Sequence, residues 1–135
     1  MSRILVDSNV LLDVFTEDEQ WFSWSSGQLE KYAELGELCI NPIIYAEISV
    51  GFTMIEDMEA VLPRDYFTYL DLPYEAAFLA GKCFLRYRRA GGRKQVPLPD
   101  FFIGAHAAVE GMVLLSRDAS RYKTYFPKLE LISPG

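Results

Sequence analysis

Four carboxylates in this chain stand where a reaction centre would need them: Asp7, Glu47, Asp100 and Asp118. Asp7 follows the short apolar run Ile4-Leu5-Val6, which reads as a strand buried on both faces. Asp118 comes three residues after Leu115, at the end of a second such run. Ligands gather outside the carboxyl ends of the strands in an open parallel sheet, so this placement brings acids from opposite ends of the chain toward one edge. Glu47 shares a helical stripe with Ile43, Val50 and Met54, which predicts a carboxylate on a core-facing surface, costly unless something pairs with it. Asp100 begins a predicted helix whose inward stripe is Ile103, Gly104, Ala107 and Gly111, and the small residues leave room beside it. Each acid also has a plainer reading. Asp7, Asp100 and Asp118 can cap helices, and Glu47 can reach water along a wider stripe.

Four unpaired carboxylates in one pocket repel and take up protons, and a divalent cation resolves that conflict. An all-oxygen donor set favours a hard ion, Mg²⁺ or Mn²⁺, over zinc. Such a site lowers the pKa of a bound water and neutralises charge on a phosphate, the chemistry of in-line phosphodiester hydrolysis, and needs no protein nucleophile. Other reagents are scarce. His106 is the single histidine, and Cys39 and Cys83 sit in apolar runs that read as buried thiols of a reducing compartment. Those three soft ligands are too few for a four-ligand structural zinc site, and no Cys-x-x-Cys spacing occurs.

A length of 135 residues, half of them apolar, fits one domain with one core, residues 1–135. The elements that must position the acids alternate in type. A strand at Ile4–Val6 is followed by a helix capped by Ser8, and a helix over Asp18–Leu35 ends near Gly36. Next come a strand over Leu38–Ile40, a helix from Pro42 to about Thr53 and a short helix over Met54–Leu62. A strand over Tyr66–Leu72 and a long helix over about Tyr74–Ala90 follow. After a loop from Gly91 to Pro99, the pattern predicts a helix over Asp100–Gly111, a strand over Met112–Leu115, a short helix opened by Asp118 and a last strand over Leu129–Ile132. This is an α/β layered fold with a mainly parallel central sheet of about four to five strands flanked by helices.

Ile4-Leu5-Val6-Asp7-Ser8-Asn9-Val10-Leu11-Leu12, the helical Glu47, Pro99-Asp100-Phe101-Phe102-Ile103-Gly104-Ala105-His106-Ala107 and Leu114-Leu115-Ser116-Arg117-Asp118 together resemble the PIN domain, and most closely the VapC-type toxins of toxin–antitoxin pairs. The resemblance covers essentially the whole chain. It implies a three-layer PIN-like fold and a Mg²⁺- or Mn²⁺-dependent endoribonuclease whose acidic quartet is Asp7, Glu47, Asp100 and Asp118. Asp7 and Asp100 would be the firmest metal ligands, with Glu47 and Asp118 binding directly or through water. Asn9 and Ser116 match positions that orient the acids or water, and Ser116 stands where the family often has threonine. The implied partners are an RNA substrate, a cognate antitoxin and a second copy of the chain. Asp13 reads as structural or superficial.

The charge is divided. Residues 1–67 carry a net −10 and residues 68–135 a net +4, within a total of −6. Lys82, Arg86, Arg89 and Arg93 recur at spacings of four, three and four along one face of the long helix and its exit, with Arg88 and Lys94 beside them. They form either a solvated face or a phosphate track leading toward Asp100. Phe84 and Tyr87 on the opposite side read as core. Trp21, Phe22 and Trp24 form either core or a patch for a partner. A haloacid-dehalogenase-type phosphatase also starts from a strand ending in Asp. Its acid–base residue two positions on is here Asn9, an amide that cannot transfer a proton. The remaining alternative is a non-catalytic binding module of the same fold. No apolar run spans a bilayer, and Asp7, Asn9 and Asp13 break up the apolar start, so a cytoplasmic protein is expected.

Overall fold

Ile4-Leu5-Val6 occupies the middle of the sheet, as a run without polar alternation must if both its faces are covered. The computed structural model describes residues 2–91 and 98–134. Its strands are β1 (Ser2–Val6), β2 (Gly36–Ile40), β3 (Phe67–Tyr69), β4 (Val113–Leu115) and β5 (Leu131–Ile132). They form one sheet in the order β3-β2-β1-β4-β5, and every pairing is parallel. Leu5 stands opposite Cys39 on one side and Leu114 on the other, and all three are fully buried. Seven helices accompany the sheet among the described residues: α1 (Ser8–Phe15), α2 (Phe22–Leu35), α3 (Pro42–Ser49), α4 (Ile55–Val61), α5 (Tyr74–Arg89), α6 (Leu98–Glu110) and α7 (Ser120–Lys123).

From β1 the chain builds outward to β2 and β3, then returns across β1 to lay down β4 and β5. The direction of winding therefore reverses between β1 and β4. The crevice outside the carboxyl ends of adjacent strands at such a reversal is where α/β sheets accept ligands. Asp7 follows β1 directly, its N–H donating to Leu115 O at 2.9 Å, and Ser116 follows β4 directly.

Several element ends differ from the sequence expectation, each for a local reason. The second helix begins at Phe22 rather than Asp18, because the Asp18 carboxylate accepts from the N–H groups of Gln20 and Trp21, both at 2.9 Å, and holds a turn there instead. Gly36 does not separate α2 from β2. It is the first residue of β2, opposite Ser2, and a Cβ on it would run into the Ser2 carbonyl. The helix from Pro42 stops at Ser49, and β3 and β5 are shorter than their apolar runs. Gly111 is exposed rather than inward. It takes φ +64°, and Met112 N–H turns back to Ala107 O, closing α6 at Glu110. Cys39 and Cys83 are buried free thiols, and burial pushes Cys39 up to about 11. No helix of the described residues is long and apolar enough to cross a membrane.

Candidate active site

Asp7 caps α1. Its Oδ1 accepts from Ser8 N–H at 2.8 Å, while Oδ2 accepts from Ser116 Oγ at 2.8 Å and from Tyr122 Oη at 2.7 Å. Burial nevertheless dominates: it holds the carboxyl above its ordinary value against the pull of those donors. Tyr122 is itself buried, and burial together with the charge of Asp7 holds its hydroxyl well above the usual phenol value, so it donates rather than ionises. Ser8 reaches across to α3, where its Oγ donates to Glu47 Oε1 at 2.9 Å. Glu47 is half-buried and is pushed upward by burial and by the charges of Asp7 and Asp100. Asp100 lies in the first turn of α6 and is pushed up to about 6, by burial first and then by Asp7. Glu47 and Asp100 thus both feel the charge of Asp7, and Glu47 that of Asp100, where burial leaves little water to screen it.

Asp118 stands at the mouth. Arg121 bridges it to Asp100, with Nε 2.8 Å from Asp118 Oδ2 and Nη1 3.0 Å from Asp100 Oδ2. The loop that carries Asp118 is pinned at several points. Asn9 donates to Ser116 Oγ at 3.2 Å and accepts from Arg117 N–H at 3.2 Å, and Asp118 N–H donates to Ser116 Oγ at 3.1 Å. Asp13, buried in α1, grips the Arg117 guanidinium at 2.8 and 2.9 Å and accepts from Ser25 Oγ at 2.7 Å. Its role is structural: it ties the loop after β4 to α1 and α2.

Glu47 and Asp100 therefore lie within electrostatic reach of Asp7, and Asp118 is joined to Asp100 through Arg121, though not all as expected. The stripe of Ile43, Val50 and Met54 is not the buried face of its helix. Val50 and Met54 fall beyond Ser49 and are exposed at 88% and 54%, while Ile44 and Ile48 are fully buried. Glu47 follows from that face by one helical step, which turns it toward Ser8 rather than into the core. The room at Gly104 belongs to Phe126, whose ring packs where a Cβ would stand, and not to Asp100. Asp100 is not an N-cap, because α6 starts two residues earlier. Lys82, Arg86 and Arg89 are exposed along α5, whereas Arg93 and Lys94 lie outside the described residues. Phe84 and Tyr87 pack with Phe101 and Tyr125 at the core's edge, as expected of α5's other face. His106 is buried against Asn41, whose Oδ1 caps α3 and whose Nδ2 lies 2.9 Å from His106 Nδ1. That contact needs a neutral imidazole, which burial also favours.

The PIN domain family model matches residues 4–127. The chain belongs to the PIN domain family. No curated protein matches its sequence. Among solved structures, chains of the same fold occur in VapBC2 from Rickettsia felis bound to a DNA fragment from their promoter, in DNA-bound VapBC from Salmonella typhimurium and in VapBC-1 from nontypeable Haemophilus influenzae. The TM-scores are 0.76, 0.70 and 0.73, and the identities 18%, 19% and 16%. The matches cover 98%, 98% and 97% of this chain and 99%, 98% and 97% of the others.

Within this PIN domain, no three acidic, histidine or cysteine side chains close on one point as a metal shell would, among the described residues. The donor chemistry still suits a hard divalent cation. All the donors are oxygens, and Asp7, Glu47 and Asp100 all hold protons more tightly than free carboxylates do, first because they are buried. Sequence reasoning missed Ser8, Arg121 and Tyr122. The signal for the last two was the spacing in Asp118-Ala119-Ser120-Arg121-Tyr122, which returns positions three and four on one helical turn to the side of Asp118.

Proposed function

We propose that this PIN domain is a metal-dependent endoribonuclease of the VapC type, the toxin of a toxin–antitoxin pair. The observation that carries the reading is the clustering of Asp7, Glu47 and Asp100 at the winding reversal, all three pushed toward protonation by burial, and Glu47 and Asp100 further by neighbouring acids. Isolated acids in such a place would only destabilise the fold, so their convergence argues for a cation that they serve. Asp7, Glu47 and Asp100 would hold Mg²⁺ or Mn²⁺, with Asp118 at the rim. Bound there, the ion would supply acidity to a water molecule and positive charge to the phosphate.

This chain's own groups do the positioning. Ser8, Ser116 and Tyr122 fix both Asp7 oxygens, and Ser8 also fixes Glu47, so the two acids are aligned through one residue. Asn9 holds Ser116 and the Arg117 backbone, and through them the loop bearing Asp118. The exposed Lys82, Arg86 and Arg89 lie on α5, which packs on the helix that carries Asp100, and this supports a track for RNA phosphates. The toxin–antitoxin neighbours support a cognate antitoxin as partner. A cytoplasmic setting accords with these partners.

The non-catalytic binding module has one observation in its favour: Arg121 neutralises Asp100 and Asp118 without any metal. Thermal melts in EDTA, Mg²⁺ and Mn²⁺ separate the readings. A metal nuclease melts higher with metal, by the equivalent of about 2.7 kcal/mol at roughly a hundred times the dissociation constant, and Asp7→Asn abolishes the gain. A binding module shows no metal response in either protein.

A further inference from the structure

Arg121 is, among the described residues, the basic side chain that touches the acidic cluster, and it does so from the same short helix that supplies Tyr122. The two neighbours act differently. Tyr122 gives Asp7 a buried, neutral hydrogen bond, whereas Arg121 brings a full positive charge to Asp100 and Asp118. The Asp100 carboxylate is enclosed, but the side chains of Asp118 and Arg121 are 37% and 43% exposed. The bridge therefore sits at the mouth of the crevice, in contact with water, where ion pairs are weak and readily exchanged.

The oxygens that Arg121 occupies are Asp100 Oδ2, of a carboxylate assigned above to a divalent cation, and Asp118 Oδ2, at the rim of the same site. A guanidinium and a metal ion cannot both take them at full strength, because each would feel the other's like charge. Once displaced, the guanidinium keeps its long stem on α7 beside the crevice. Its planar fork of donors matches a phosphodiester better than any other anion the reaction brings there.

We propose that Arg121 is an exchangeable internal cation. It balances Asp100 and Asp118 while no metal is bound, yields them to the divalent ion, and then holds a phosphate of the RNA being cut. This rests on the nuclease reading of the same site, and makes Arg121 a substrate-binding residue of it.

The test is calorimetric titration of Mn²⁺ into the RNA-free protein for wild type, Arg121→Gln and Arg121→Lys, followed by single-turnover cleavage at saturating Mn²⁺ with varied RNA. Removing the competing charge should tighten Mn²⁺ binding by roughly tenfold in R121Q, and losing the phosphate contact should raise the half-saturating RNA concentration by roughly tenfold, with a smaller change in the maximal rate. R121K should fall between on both counts. Unchanged or weaker Mn²⁺ binding in R121Q would overturn the exchange, since an arginine that merely props up the ligands weakens metal binding when removed. Tighter Mn²⁺ with unchanged RNA saturation would overturn the phosphate contact. If neither wild type nor R121Q binds Mn²⁺, the nuclease reading itself fails; equal binding and cleavage in both proteins sinks only the inference.

Discussion

Replacing Asp100 by asparagine should make the metal-free protein more stable at neutral pH, not less. The Asp100 carboxyl is pushed from 3.8 to about 6 by burial and by Asp7, so its charged form is less at home in the fold than in the unfolded chain. A group whose folded pKa is raised contributes stability below its unfolded value and loses it as pH climbs through the folded value. The penalty therefore grows between about pH 4 and pH 6 and is complete above that. About two units of pKa set a ceiling near ~3 kcal/mol, and solvent at the mouth of the crevice lowers the expected gain to about 1–2 kcal/mol. The asparagine side chain keeps an oxygen of the same shape for Arg121, so little packing is lost. Urea unfolding in EDTA at a series of pH values from about 4.5 to about 8 measures the difference. The advantage of Asp100→Asn should be smallest at the acid end and largest at the alkaline end, and the order should reverse when Mn²⁺ is added, because only the wild type gains from the metal. An asparagine variant that is less stable than wild type at the alkaline end in EDTA, or a difference that does not change with pH, would refute the claim that the fold penalises the Asp100 charge.

Asp13→Ala should lower stability by about 2–3 kcal/mol, because it strands the Arg117 guanidinium and the buried Ser25 hydroxyl together, and chemical denaturation reads the loss directly. Gly104→Ala should cost about 1–3 kcal/mol and lower the melting temperature, since its methyl group meets the Phe126 ring, with Cδ2 at 2.6 Å and Cζ at 3.1 Å. The triple change Lys82→Gln, Arg86→Gln, Arg89→Gln should leave the fold intact, weaken RNA binding and flatten its dependence on salt by roughly two to three units of slope. Unaltered salt dependence would mark that face of α5 as merely solvated.

The parallel sheet was legible because Ile4-Leu5-Val6 and Val113-Leu114-Leu115 are apolar runs too short for helices and too continuous for exposed strands, whereas the strand order, and with it the switch point, was not. Asp7 and Asp118 stood out because each lies just past such a run, and Asp100 because a helix was expected to open there, although α6 starts at Leu98. The face of α3 was misjudged because Val50 and Met54 prolong the apolar stripe past the true end of the helix, and periodicity cannot register that end. Gly36 ends α2 as read, but β2 starts at it rather than at Leu38, because the missing side chain lets the strand approach the Ser2 carbonyl. Local spacing sets Arg121 beside Asp118, but the reach of Ser8, Arg121 and Tyr122 to Glu47, Asp100 and Asp7 spans 39, 21 and 115 positions of sequence, which local pattern does not encode.

The most direct test of the central claim is single-turnover cleavage of a mixed cellular RNA pool in heavy-oxygen water, with Mg²⁺, Mn²⁺ or EDTA, by wild type beside Asp7→Asn and Asp100→Asn. The account predicts discrete cuts that require metal, vanish in both variants and carry one heavy oxygen on the new terminal phosphate, as attack by water demands. Cuts that survive EDTA, persist in Asp7→Asn or end in cyclic phosphates without heavy oxygen would contradict it.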